Sequence, residues 1–258
     1  MKGNSLYITM FIISTFFYTN VMASGSGSKS KNNTHWGYKG QNAAYHWGDM
    51  NPGFGTCKSG NSQSPINIST RNVDKKNLQP IEFHYNDSPL RIINNGHTIQ
   101  VNYSPGSYIS IGSDRYDLLQ FHFHTPSEGQ INGKNYDMVA HLVHKSSSGE
   151  LAVVAVLFDT GLAHPGLGNI WRAIPAKEGH EVSQQISVKA LRLLPRDRSY
   201  FTYSGSLTTP PCSEGVRWLV LQKPVTLSSA QLNRFKDFYS FNARPVQALN
   251  GRKVTLSQ

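Results

Sequence analysis

Apolar residues in this chain recur mainly in short runs, many alternating with polar ones, and clusters of Gly, Asn, Ser and Pro separate the runs. The pattern predicts strands over 91–93, 98–103, 108–111, 118–124, 138–144, 151–158 and 216–222. Turn clusters such as Asn94-Asn95-Gly96, Ser104-Pro105-Gly106 and Ser146-Ser147-Ser148-Gly149 lie between them. Residues 151–158 are apolar throughout, as expected of a strand covered on both faces. Two stretches have helical spacing instead: Leu167, Ile170, Trp171 and Ile174, and the run Leu232, Phe235 and Tyr239 behind the capping box Ser228-Ser229-Ala230-Gln231. The expected fold class is β-dominated α+β, one domain around a large, mostly antiparallel central β-sheet with a few peripheral helices.

The N-terminus departs from this pattern. Met1-Lys2 and the apolar, uncharged stretch 6–18 read as an export signal, with Val21-Met22-Ala23 offering small residues for cleavage after Ala23. The apolar core is too short to span a bilayer comfortably, so no membrane span is expected in the mature chain. Residues 24–33, rich in Gly, Ser and Lys, read as a flexible lead-in. The remainder, 34–258, contains no linker or repeat and reads as one domain. Export predicts a periplasmic or secreted protein. The two cysteines, Cys57 and Cys212, then suggest one disulfide, worth roughly 5 kcal/mol in the chain-entropy model for so long a loop.

Of 258 residues, 16% are charged, and the formal net charge is +10. The basic residues are scattered, with no run longer than two, as at Lys75-Lys76, so no nucleic-acid partner is expected.

The candidate chemistry centres on Gln120-Phe121-His122-Phe123-His124-Thr125-Pro126-Ser127-Glu128. On a strand, His122 and His124 share one face, and Phe121 and Phe123 the other. Two imidazoles held side by side on stiff backbone are the start of a zinc site. In Met138-Val139-Ala140-His141-Leu142-Val143-His144, alternation puts His141 and His144 on opposite faces, so only one of them can join the pair.

Several longer segments then carry a resemblance. His35-Trp36-Gly37-Tyr38, Asn61-Ser62-Gln63-Ser64-Pro65-Ile66-Asn67-Ile68, Asn94-Asn95-Gly96-His97 and the 120–128 segment come in the order seen in α-class carbonic anhydrases. So do Gly205-Ser206-Leu207-Thr208-Thr209-Pro210-Pro211-Cys212 and Asn242-Ala243-Arg244-Pro245-Val246-Gln247. The chain resembles the exported, bacterial type of that family from about His35 to Arg252.

The resemblance implies that His122, His124 and His141 bind Zn²⁺. Water in the fourth position would ionise near neutral pH, and the hydroxide would attack CO2 to give bicarbonate. Thr208 matches the threonine that orients the hydroxide, and Glu128 the carboxylate that accepts a hydrogen bond from the threonine. Thr209 matches a residue that hydrogen-bonds bicarbonate or water. Val143, Val153, Leu207, Val216 and Trp218 match the apolar wall for CO2. His97 matches the proton shuttle, with Tyr38, Asn95 and Gln100 matching the positions that order the intervening water. Gln120 matches the orienting partner of His122. Sulfonamides and anions are implied inhibitors, and a homodimer is an implied assembly.

One position departs from the family. A glutamate usually stands two residues before the third histidine and accepts its outer ring N–H; here the residue is Val139, with Asp137 as the expected substitute. The departure supports an alternative, a catalytically weak or inactive binding protein on the same fold. A cupin site would also read H-x-H-x-x-x-E, but its glycine six residues before the first histidine is Tyr116 here, and no second cupin motif follows.

Overall fold

The computed structural model describes residues 35–257, so the expected signal 1–23 and the lead-in 24–33 lie outside the described residues. In chain order the strands begin with β1 (Asn67–Ile68), β2 (Asp74–Lys76), β3 (Glu82–His84), β4 (Ser88–Asn94), β5 (Ile99–Asn102) and β6 (Tyr108–Ile111). Then come β7 (Asp114–His124), β8 (Gln130–Ile131), β9 (Lys134–Asn135), β10 (Met138–Lys145) and β11 (Leu151–Thr160). The last are β12 (Glu181–Val188), β13 (Tyr200–Ser206), β14 (Glu214–Leu221), β15 (Val225–Leu227) and β16 (Thr255–Ser257).

Thirteen strands form one sheet, whose main path runs β12-β4-β5-β7-β10-β11-β14-β13-β16-β2, while β1, β8 and β9 form a small second sheet. Pairing in the large sheet is antiparallel except where β11 meets β14 and β15, and where β16 meets β2. The expected β-dominated, mostly antiparallel single domain is thus what the chain forms.

Each face of the sheet is covered by its own apolar cluster. Ala152, Val154, Val156 and Phe158 of β11 belong to one, and Val153, Ala155 and Leu157 to the other, which is why that strand is apolar without alternation. The first cluster packs against the Gly168–Arg172 and Ser229–Lys236 helices through Ile170, Trp171, Leu232 and Phe235. The second helix opens with the expected capping box: the Gln231 backbone N–H donates to Ser228 Oγ, and the Ser228 N–H to Gln231 Oε1. The first helix stops before Ile174, because Pro175 follows and disfavours helical backbone at the residue before it.

The hydrophobic pattern does not predict β12 or β13. β12 is an edge strand with only Val188 fully buried, and β13 is rich in Ser, Thr and Gly, so neither has a strong apolar period. Cys57 and Cys212 form the expected disulfide, closing a sequence separation of 155 residues.

Candidate metal centre

The site is built across β5, β7 and β10, on the face opposite the helix-covered core. Register puts His122 directly across from His141 on one side and from Gln100 on the other. Opposed residues of neighbouring strands share a face, so three separate segments meet in one row. His124 lies across from Val139, and Gln120 from Val143. The structure therefore selects His141. Its alternative, His144, points into the other core, is fully buried, and pairs with the Tyr85 hydroxyl at 2.8 Å.

A bulge sets the phase of the histidine strand. Gln120 pairs with Val143 and Leu118 with His144, leaving Leu119 unopposed and partly exposed. Simple alternation would put Leu118 on the face of Gln120, His122 and His124. With the bulge, Leu118 joins Phe121 and Phe123 in the core.

One nitrogen from each of His122, His124 and His141 lies within 4.8 Å of the others. Their rings are 4.9–5.5 Å apart between centroids. The outer nitrogens of the first two are engaged: His122 Nδ1–H donates to Gln120 Oε1 at 2.9 Å, and His124 Nδ1–H to the Asn242 carbonyl at 2.7 Å. Their Nε2 atoms are thereby left as electron-pair donors toward the common point, and His124 Nε2 is buried with no partner. Burial, and then the charge of neighbouring imidazoles, push the pKa of His122 and His141 well below the usual histidine value. Three converging imidazole nitrogens, two of them on rings already oriented, are what a divalent cation of borderline softness requires, so the donor set fits zinc.

Glu128 is buried beside this cluster, with Oε1 accepting the Arg244 backbone N–H at 2.8 Å. Burial pushes its carboxyl up, against the opposing influence of His124, Thr208 and Arg244. The Thr208 hydroxyl is near enough to favour the ionised form but does not meet the geometry of a formed hydrogen bond, and Oε2 is left unpartnered. Thr208 is on the loop between β13 and β14. That loop is pinned by Ser206, whose Oγ accepts the Ser64 N–H, by Trp218 Nε1–H donating to the Ser206 carbonyl, and by the disulfide at Cys212.

A cleft of about 130 Å³ opens above the histidines, lined by Trp36, Tyr38, Asn95, His97, Gln100, Gln120, His122, His124 and Thr209 among others. His97 follows Gly96, whose φ of +86° permits the bend, and the Asn95 side chain closes it by accepting the His97 and Thr98 N–H groups. The His97 ring stacks on Trp36 at 3.7 Å between centroids, with His35 at 5.5 Å, and also faces a second, outer groove. Burial, and then His35, lower its pKa, against the opposing charge of Glu178. The Tyr38 hydroxyl is buried without a partner, and burial raises its pKa well above the usual value.

Val143, Val153, Leu207, Val216 and Trp218 pack in one apolar cluster with Val139, and Trp218 meets the His141 ring edge-on at 4.9 Å. Asp137 is not the substitute acceptor for His141. It precedes β10, and its Oδ2 takes the Thr160 N–H and hydroxyl, both at 2.7 Å.

Two site residues had no individual role from the sequence. Asn242 orients His124 through its carbonyl, and its side chain accepts the Thr125 N–H and donates to the His97 and Phe123 carbonyls. Arg244, almost wholly buried, donates to Gln63 Oε1 and the carbonyls of Ser64 and Cys57 while its N–H holds Glu128. The available signal was the Asn242–Gln247 segment itself, which says that a contact exists but not which atoms make it.

Fold and site together define a protein with a three-histidine cluster, able to hold a metal ion, on the face of a large mixed sheet. Residues 42–258 match the family described as eukaryotic-type carbonic anhydrase. A carbonic anhydrase of Pectobacterium carotovorum is 43% identical over 230 residues, 88% of this chain and 93% of the relative. The α-carbonic anhydrase of Thermovibrio ammonificans, solved with the inhibitor sulfanilamide, superposes with a TM-score of 0.84 at 44% identity, covering 86% of this chain and 99% of that one. A dioscorin complexed with ascorbate shares the fold at 32% identity and a TM-score of 0.82, over 87% of this chain and 98% of its own. The chain belongs to the eukaryotic-type, or α-class, carbonic anhydrases, and is a carbonate dehydratase of that family.

Proposed function

We propose that the protein catalyses the reversible hydration of CO2 to bicarbonate and a proton, with Zn²⁺ held by His122, His124 and His141 and with His97 as proton shuttle. The observation that carries this is the convergence of three imidazoles, two with their outer N–H already fixed. A zinc ion bound there supplies Lewis acidity, which brings the ionisation of a water into the neutral range and makes it a nucleophile toward carbon.

The remaining work falls to the chain's own residues. Gln120 and the Asn242 carbonyl hold two imidazoles in the ligand tautomer. A nearby dication favours the charged form of Glu128 and offsets its burial. Ionised Glu128 then accepts a hydrogen bond from the Thr208 hydroxyl, so Thr208 presents only lone pairs to the attacking water and aims it. Val143, Val153, Leu207, Val216 and Trp218 form the dry surface that suits an uncharged, weakly polar substrate. Thr209 reaches the cleft and can bond product oxygen. His97 faces both the cleft and an outer groove, and its lowered pKa keeps the ring neutral and able to accept a proton at pH 7.

Export to the periplasm or beyond belongs to the same reading, supported by the signal-like residues 1–23 and the oxidised cysteine pair. Sulfonamide inhibition and homodimeric assembly rest on the family likeness. A second reading, a weak or inactive binding protein, is favoured by Val139 beside the third histidine.

Metal analysis of the mature protein, combined with a CO2 hydration assay with and without sulfanilamide, tests these readings together. One zinc per chain and sulfanilamide-sensitive hydration are expected. Bound zinc with no hydration would select the second reading.

A further inference from the structure

Among the described residues, neither ring nitrogen of His141 takes part in a hydrogen bond, unlike His122 and His124. The nearest acidic oxygen, Glu128 Oε2, is 3.8 Å from Nδ1, beyond hydrogen-bond distance. A metal-bound histidine normally gives its second N–H to a fixed acceptor. Asp137 is occupied by Thr160.

Beside His141 lies a cavity of about 20 Å³, walled by Val139, Tyr203, Trp218, Ile66 and Leu157 among others. One water needs roughly 10–15 Å³, so the space is large enough to seat a water molecule. Most of its wall is apolar. The Tyr203 hydroxyl is within 3.3 Å of Ser64 Oγ, and Gln130 is the other uncharged polar side chain on the wall.

We propose that this cavity is the outer-ligand site of His141. The ring nitrogen that does not face the metal donates to a single water seated there, in place of a protein acceptor. The proposal rests on the zinc reading above and deepens it. Its consequence is specific: the third ligand has an exchangeable partner, so the metal leaves through His141 more readily than a fully braced site would allow. Val139 is then a positioning residue, because an acceptor side chain there would displace the water and brace the ring.

The test uses the zinc-loaded protein and variants Val139→Gln, Val139→Glu and Val139→Leu, challenged with excess pyridine-2,6-dicarboxylate while zinc release is followed colorimetrically. Gln and Glu place an oxygen in the cavity, whereas Leu fills it without an acceptor. Release 10–100-fold slower in the Gln and Glu variants, with Leu no slower than wild type, is the expected result. If Val139→Glu does not fold, the neutral Gln variant decides. Equal rates in all four proteins, or slowing by Leu as great as by Gln, would overturn the proposal. So would a crystal structure of the zinc-loaded protein with a dry cavity. A wild-type protein that takes up no zinc overturns the underlying functional reading, and the proposal with it.

Discussion

The outer hydrogen bonds of the imidazoles do more than tidy the site, because each fixes a tautomer and a ring plane before the metal arrives. Gln120 does this for His122 with a side chain that is free to be changed. Gln120→Ala is expected to weaken zinc binding 10–100-fold without unfolding the protein, measured by competition with a chelator. His97 makes a different demand, since its ring is half-buried, stacked on Trp36 and bonded to nothing in the cleft. His97→Ala is expected to lower turnover on the order of 10²-fold in dilute buffer, to be restored by added imidazole, and to leave kcat/KM for CO2 hydration unchanged. Unchanged turnover in dilute buffer would remove His97 from the proton path.

At the level of elements, the site depends on where strands end and how loops are tied. The β13–β14 loop carries Thr208, the Asn242–Gln247 segment carries the Glu128 contact, and the short Thr56–Ser59 helix is bonded to both through Cys57. Arg244 and the disulfide join these three pieces. Burial lowers the Arg244 guanidinium to about 10; its Nη1 and Nη2 donate to Gln63, Ser64 and Cys57, while its Nε is buried without a partner. The double variant Cys57→Ser, Cys212→Ser is expected to lose about 2–5 kcal/mol in denaturant titration, much of it through freedom regained by the unfolded chain. The histidine strand was legible in the sequence at this scale, and so was the capping box of the Ser229–Lys236 helix. The bulge at Leu119 was not, because an extra residue in one strand is defined only against its partner.

For the whole molecule, burial of neutral histidines ties stability to pH. His144 is fully buried, and its pKa is lowered to about 4 from 6.5. Between these values the unfolded chain binds a proton that the native protein refuses. The contribution is therefore fully present above pH 6.5 and is lost as pH falls toward 4. That difference in proton affinity corresponds to about 3 kcal/mol. Denaturant titrations from pH 7 to pH 4 should show wild-type stability falling more steeply than that of His144→Gln. Parallel slopes would mean that His144 is not the group responsible. His122 and His141, also depressed, act with the same sign in protein stripped of metal.

Local chemistry determined much of this protein before any fold was known. Alternation put His122 and His124 on one face, the continuous apolar run announced a strand buried on both sides, and the even cysteine count announced a pair. These are short-range facts, set by backbone periodicity and side-chain solubility. Only the tertiary structure chose His141 over His144, turned Asp137 toward Thr160, and brought Asn242 and Arg244 across more than a hundred residues to His124 and Glu128. Which acceptor a buried N–H meets depends on strand register and loop closure between distant segments. Local sequence does not contain that information, and the unbraced third ligand beside Val139 is its clearest product here.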